Sequence, residues 1–360
     1  MQESSGVRAA QAGADGAGRI TLQAAASGET LGQVEVSGPE DVHAAMARAR
    51  NAQTAWAKLA LEERCERILK LRDALVDRAD QVMEAISREC GKPAQEALVH
   101  ELMPAVDLAG FYAKRAPRIL APREIDLHLF KHRKSYVHYA PLGVVGIIAP
   151  ANYPLICALD AALSGLIAGN AVLIKPSERG SFVALQLKQV FDATGLAPDL
   201  LQVVLGGPST VLALLDARPD KIHFTGTEQV GRKVAALCGE RLIPCALQLG
   251  GKGPAIVCDD ADLERAARAI VFAGFANGGQ VCVGIQRVFA HAGIHDALLE
   301  RVTRLTRELR QGDPALSSVE VGALGSPEHV VGAEAAVKDA VDKGAQLLSG
   351  GARLPGKGTF

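Results

Sequence analysis

Aromatic side chains make up only 4 % of the 360 residues, with a single Trp. That is too few rings for the stacking platform of a single-strand nucleic-acid binder. Neither sign of charge is in excess: 39 Lys and Arg against 40 Asp and Glu give a formal net charge of −1. No basic footprint therefore points to nucleic acid or to an anionic membrane surface. No uncharged apolar run is long enough for a transmembrane helix. The start, MQESSGVRAAQAGADGAGR, lacks the apolar segment of a secretory signal, and acidic residues interrupt it as a mitochondrial presequence. Residues 1–17, rich in Ala, Gly and Ser, are expected to be disordered. The seven cysteines, Cys65, Cys90, Cys157, Cys238, Cys245, Cys258 and Cys282, form no CxxC pair and no zinc-like cluster with His. No metal site is expected. An odd, dispersed set reads as reduced thiols of a cytoplasmic protein, most of them packing as small apolar residues.

Glycine is plentiful, at 37 residues, which suits close helix–sheet packing and tight turns. Residues from Ile20 to about Val36 alternate loosely and predict two short strands or a hairpin. Helical patterns follow over Val42–Leu59, Leu61–Ala79, Gln81–Cys90 and Glu96–Arg115, broken at Gly91-Lys92-Pro93. Leu127–Tyr139 mixes His, Lys and Arg with apolar residues and reads as an exposed hairpin. From Gly143 the pattern becomes βαβ, with apolar strands at Gly143–Ala149, Ala171–Ile174, Leu201–Leu205 and Lys221–Thr225 alternating with helices. That alternation predicts a doubly wound parallel sheet. A second unit begins near Gln248, with strands at Ala255–Val257, Arg287–Ala290 and Gln346–Leu348 and helices at Leu263–Ala276, His295–Glu308 and Val337–Lys343.

Several segments could carry chemistry. In Phe275-Ala-Asn-Gly-Gly-Gln-Val-Cys282, a thiol follows a glycine pair that would allow close approach of a substrate carbon; a buried turn cysteine explains it as well. Asn152, in Pro150-Ala-Asn-Tyr-Pro154 at a strand end, could direct an N–H at a developing oxyanion; alone, it reads more simply as a turn residue. Lys175 and Glu178 could hold ribose hydroxyls, or form a solvated loop. Gly226 and Thr227 open a helix that could face a phosphate, but the segment is not GxGxxG.

The order and spacing of PANYP, GNAVLIKPSE, FTGTEQVG, LQLGGKGP and FANGGQVC resemble those of the aldehyde dehydrogenase superfamily, from about Ile20 to Phe360. The resemblance implies an α/β fold: a Rossmann-type NAD(P)-binding domain over 18–248, an oligomerisation hairpin at 127–139, and a catalytic domain over 249–360. It implies that Cys282 is the nucleophile and that Asn152, with the Cys282 N–H, stabilises the oxyanion. Lys175 and Glu178 match residues on the adenosine ribose, Gly226 and Thr227 the pyrophosphate contacts, and Ala149 and Leu249 backbone positions beside the cofactor. Glu178 suits a free 2′-hydroxyl, favouring NAD over NADP. Lys252 is equally well explained by electrostatic support or by structure. The implied partners are a small aldehyde and a second copy of the chain, as dimer or tetramer, with no nucleic acid and no membrane.

The sequence departs from the family in three places. Gln248 stands where the family's Glu-Leu-Gly-Gly-Lys motif has its general base, and an amide cannot accept a proton from water. Ala151 replaces the usual aromatic before the loop asparagine. The family's Glu-x-Phe segment and later strands do not follow Phe360, which implies a catalytic domain incomplete at its C-terminal end, from a truncated product or partial gene. The leading expectation is NAD(P)-dependent oxidation of an aldehyde to an acid through a Cys282 thioester. The alternatives are transfer of the acyl group to coenzyme A and a non-catalytic cofactor-binding relative or inactive fragment.

Overall fold

The computed structural model describes residues 14–15, 18–354 and 358–360. Of the N-terminal stretch expected to be disordered, residues 1–13 and 16–17 lie outside the described residues. Ala14–Asp15 departs from that expectation by pairing antiparallel with Arg19 and Ile20.

Five parallel strands form the central sheet in the spatial order Cys245–Leu249, Lys221–Gly226, Val144–Ala149, Ala171–Pro176 and Leu201–Val203. Chain order thus runs outward one way from Val144–Ala149, then resumes on its other side at Lys221–Gly226. The crevice between these two strands is the topological switch point, where open α/β sheets bind ligands at their carboxyl ends. Burial follows position: every residue of Val144–Ala149 and Ala171–Pro176 is buried, as for central strands covered on both faces. Gly146 leaves room for the Ile222 and Leu214 side chains, which a Cβ there would meet at 2.7 and 3.4 Å.

Helices Pro154–Ile167, Ser181–Asp192, Pro208–Asp216 and Glu228–Glu240 follow the strands. Ahead of them in sequence, Pro39–Trp56, Leu61–Asp77, Ala79–Cys90 and Met103–Ile119 build a helical layer. Polar groups tie it to the sheet: the Trp56 indole N–H donates to the Leu166 carbonyl (2.7 Å) and Arg64 Nε to that of Ile167 (2.9 Å). The helix expected over Glu96–Arg115 is divided; a π-helical turn, Leu98–Leu102, precedes Met103–Ile119. The hairpin strands, Arg123–Ile125 and Ser135–Val137, begin four residues before the predicted segment and close around a loop.

The edge strand Cys245–Leu249 was not anticipated, because its burial alternates weakly. A domain boundary between 248 and 249 falls within it. Beyond it, Gly253–Val257 pairs in parallel with Ile285–Ala290, and helices Leu263–Phe275 and His295–Glu308 pack on this pair around Val257, Ala267, Ile270 and Leu298. The strand expected at Gln346–Leu348 does not form. An extended segment is stable only within a ladder, and Leu347 and Leu348 are exposed instead.

Candidate active site

The turn that carries Cys282 grows from the end of Leu263–Phe275. Three successive residues, Asn277, Gly278 and Gly279, have φ of 51°, 62° and 77°. This left-handed run reverses the chain; glycine adopts it freely and asparagine more readily than other side chains. Gly284 N–H then donates to the Val281 carbonyl (3.3 Å), leaving Cys282 and Val283 at the tip of a tight turn. Cys282 is half-buried.

The Pro150–Pro154 loop meets this turn directly. Asn152 Nδ2 donates to the Gln280 carbonyl (2.8 Å), and Asn277 Nδ2 donates to the Asn152 carbonyl (3.0 Å) and weakly to that of Gln280 (3.3 Å). Gln280 Nε2 closes the turn on the Asn277 carbonyl (2.9 Å). One Asn152 N–H is used in this brace and a second remains. A cavity of about 30 Å³ beside this brace is bordered by Ala151, Asn152, Asn277 and Gln280 and, on its other sides, by Glu89, Cys90, Arg179, Gly325 and His329. The Cys90 thiol points to the Ala151 carbonyl (3.6 Å), occupying part of the space around this small residue.

Burial separates the cysteines. It pushes the thiols of Cys65 and Cys90 upward, that of Cys157 to about 12 and that of Cys238 to about 11. These four stay neutral and unreactive near pH 7. The expectation that most cysteines are buried needs correction, because only Cys65, Cys90 and Cys238 are so; Cys157 is half-buried like Cys282, and Cys245 and Cys258 are exposed. Of the three remaining cysteines, Cys282 is the one on the turn braced by Asn152.

The other candidates sit along the carboxyl edge of the sheet. Ala149 ends a central strand, and its carbonyl accepts the Ser177 N–H (2.9 Å). Lys175, almost wholly buried, has its ammonium 3.9 Å from Glu178 Oε2. Burial lowers its affinity for a proton, against the pull of Glu178. At 3.9 Å the carboxylate is beyond hydrogen-bond distance, so the ammonium keeps donors for a ligand such as a ribose. Gly207, which sequence reasoning missed, lies beside it: a Cβ there would come within 2.9 Å of Glu178 Oε1.

Thr227 is the N-cap of Glu228–Glu240, its hydroxyl accepting from Val230 N–H (3.4 Å). This helix start beside the switch point presents N–H groups and a positive dipole end that suit a pyrophosphate. Gly226 has a packing reason of its own, since a Cβ there would meet the Phe224 ring at 2.6 Å. Leu249 packs against Gly231, where a Cβ would approach it within 2.5 Å. Gln248 is paired with Thr225 in the edge strand and its side chain is exposed. Lys252 donates to Gln286 Oε1 (2.5 Å). The buried Lys175 ammonium, the small Gly207 and the capped helix start fit a dinucleotide.

A further group was not found from sequence. Lys92 and Glu101 form an ion pair with both side chains fully buried, and Lys92 Nζ lies 3.9 Å from the centre of the Tyr153 ring. Glu101 Oε2 accepts the N–H groups of Leu155 (2.9 Å) and Ile156 (3.2 Å). Glu89 accepts those of Phe182 and Val183, both at 2.9 Å. The available signal was acidic residues falling on the apolar face of a helix, as Glu89 does after Ile86 and before Cys90.

Several solved structures with this architecture are described as aldehyde dehydrogenases. One is the NAD-dependent aldehyde dehydrogenase from Sinorhizobium meliloti, 32 % identical with a TM-score of 0.90 over 96 % of this chain and 70 % of that one. The model of the aldehyde dehydrogenase family matches residues 13–360, and this chain belongs to that family. Among curated relatives, 4,4'-diapolycopene aldehyde oxidase from Methylomonas sp is 36 % identical over 89 % of this chain and 60 % of its own length. A putative succinate-semialdehyde dehydrogenase [NADP(+)] from Mycobacterium ulcerans is 34 % identical over 94 % and 65 %, respectively. The chain thus spans less than two thirds of the length of these curated relatives.

Proposed function

We propose that the protein is built for NAD(P)-dependent oxidation of an aldehyde through a covalent Cys282 intermediate. The observation that carries this reading is the brace between the Asn152 loop and the Cys282 turn. The Cys282 thiolate attacks the aldehyde carbon, and the carbonyl π pair moves onto oxygen. The free Asn152 N–H and the Cys282 backbone N–H donate to that oxygen as charge develops there, which is where such donors contribute most. When bound, the nicotinamide supplies the oxidant that accepts the two electrons and hydrogen leaving the substrate carbon. Lys175 and Glu178 hold the adenosine ribose, and the N-terminus of Glu228–Glu240 holds the pyrophosphate. The carboxylate of Glu178 favours a free 2′-hydroxyl, so NAD is the preferred cofactor over NADP. The hairpin around residues 123–137 exposes Leu129 and Phe130 and would pair with a second copy of the chain. A reducing cytoplasm suits its free cysteines.

Release of the acyl group distinguishes a second reading. Gln248 can orient a water but cannot take its proton, and general-base catalysis typically contributes roughly 10²–10⁴-fold. Slow hydrolysis, or transfer to a thiol such as coenzyme A, follows from this residue. Pre-steady-state NADH formation with a panel of aldehydes tests both. The expected outcome is a burst of about one equivalent followed by slow turnover. Restoration of turnover by Gln248→Glu supports water as the acceptor, and restoration by added coenzyme A supports acyl transfer. Folded protein that binds NAD but gives neither burst nor acyl-Cys282 with any aldehyde would overturn the oxidation reading in favour of a cofactor-binding relative.

A further inference from the structure

Three acidic side chains of one short stretch, Glu89, Glu96 and Glu101, reach three different loops of the site. Glu101 accepts two N–H groups at the start of Pro154–Ile167, immediately after Asn152 and Tyr153. Glu89 accepts two at the start of Ser181–Asp192, immediately after the turn that carries Glu178. Glu96 Oε1 accepts the Asn277 N–H (2.8 Å), five residues before Cys282. The second Glu96 oxygen is buried and meets no partner among the described residues.

We propose that this stretch is a common clamp: Glu89, Glu96 and Glu101, with Lys92, are positioning residues that set the Glu178, Asn152 and Cys282 loops relative to one another. The proposal rests on the reading of Cys282 as nucleophile and Asn152 as oxyanion donor. Burying a carboxylate is unfavourable unless it is hydrogen-bonded or paired. In each case here the bond is to main-chain N–H groups of a site loop. Such bonds fix backbone position and carry no specificity for a side chain. Lys92 serves the same end twice, neutralising Glu101 and lying on the ring of Tyr153. Asn277 is the point of convergence: its N–H goes to Glu96 and its side chain to the Asn152 carbonyl. Losing the Glu96 bond therefore frees the Cys282 turn and loosens the Asn152 brace together. Displacements of about 1 Å in such a site cost on the order of 10²-fold in rate.

The test compares Glu96→Ala with Glu96→Gln, whose amide oxygen can still accept the Asn277 N–H. In E96A the burst rate constant is expected to fall by roughly 10- to 100-fold with the KM for aldehyde nearly unchanged, and E96Q is expected to recover most of the loss. Two further readouts need no turnover: hydrogen exchange of the peptide spanning residues 276–283, and the rate of Cys282 alkylation by iodoacetamide followed by peptide mass spectrometry. Exchange should speed up in E96A and return toward wild type in E96Q, with the alkylation rate moving in the same order. Unchanged exchange and alkylation in E96A would overturn the clamp, as would E96Q failing as badly as E96A. A wild-type protein that gives no burst counts against Cys282 as nucleophile, and the exchange and alkylation arms then decide the clamp alone. For Glu101, the double variant K92M/E101Q avoids stranding a buried charge. It should fold and show faster exchange at residues 152–156; unaltered exchange there would remove Glu101 from the clamp.

Discussion

Lys92 and Glu101 are paired with both side chains fully buried. Lys92→Ala leaves the Glu101 carboxylate buried without its counter-ion, which typically costs roughly 3–5 kcal/mol. Chemical denaturation should show that loss, while K92M/E101Q loses much less. Glu89 makes a different prediction. Burial raises its carboxyl to about 7, against the N–H groups it accepts. The folded protein therefore holds this proton between the ordinary carboxylate range and about pH 7, where the unfolded chain has released it. Stability from this group falls as pH rises through that window and is level above it. Glu89→Gln removes the titration and one of two acceptors, giving a constant penalty. The stability difference between wild type and E89Q should therefore change by about 2–3 kcal/mol between pH 5 and 8. His100, His223 and His329, lowered by burial, slope the other way and cancel in that comparison. A flat difference would show that Glu89 does not titrate there.

Some elements meet where glycine passes glycine. A Cβ on Gly253 would lie 2.5 Å from the Gly284 carbonyl oxygen, just beyond Cys282, whereas one on Gly250 would meet nothing within 4 Å. Gly253→Ala should thus cost roughly 1–3 kcal/mol, and Gly250→Ala less than about 0.5 kcal/mol, in thermal melts. Equal effects would show that the strand and turn adjust freely. Such contrasts are invisible in the letters GGKGP. What the letters did carry was the period of each element. Buried runs such as Val144–Ala149 announce central strands, and His295–Glu308 begins and ends as its pattern indicates. Cys245–Leu249 escaped notice because an edge strand needs no continuous apolar run, and Gln346–Leu348 misled because pattern alone cannot supply a neighbour. At the candidate site, motif order is what singles out Asn152 and Cys282. Their link through Gln280 and Asn277 has no such signal, since hydrogen bonds across 125 residues of separation leave no local trace.

At the scale of the whole molecule, the main core joins the helical layer to the five-stranded sheet, while the second unit closes around a much smaller cluster. One consequence is an apolar surface on that unit, where Ile256 is 77 % and Phe289 55 % exposed. Patches of this kind promote association. Ile256→Lys with Phe289→Lys should lower binding of a hydrophobic dye and slow aggregation of this chain. Its melting temperature should scarcely move, because exposed substitutions rarely change stability by more than about 0.5 kcal/mol. A marked drop in melting temperature would mean that these side chains are covered in solution.

The clamp also has a history in time. A chain emerges from the ribosome N-terminus first, so Glu101 and Glu89 can find their main-chain partners once residue 183 has been made. Glu96 must wait for Asn277, a further 181 positions along from itself. The cofactor-side loops can therefore be set while the segment bearing Cys282 is still being synthesised, and the thiol takes its place in a frame assembled before it.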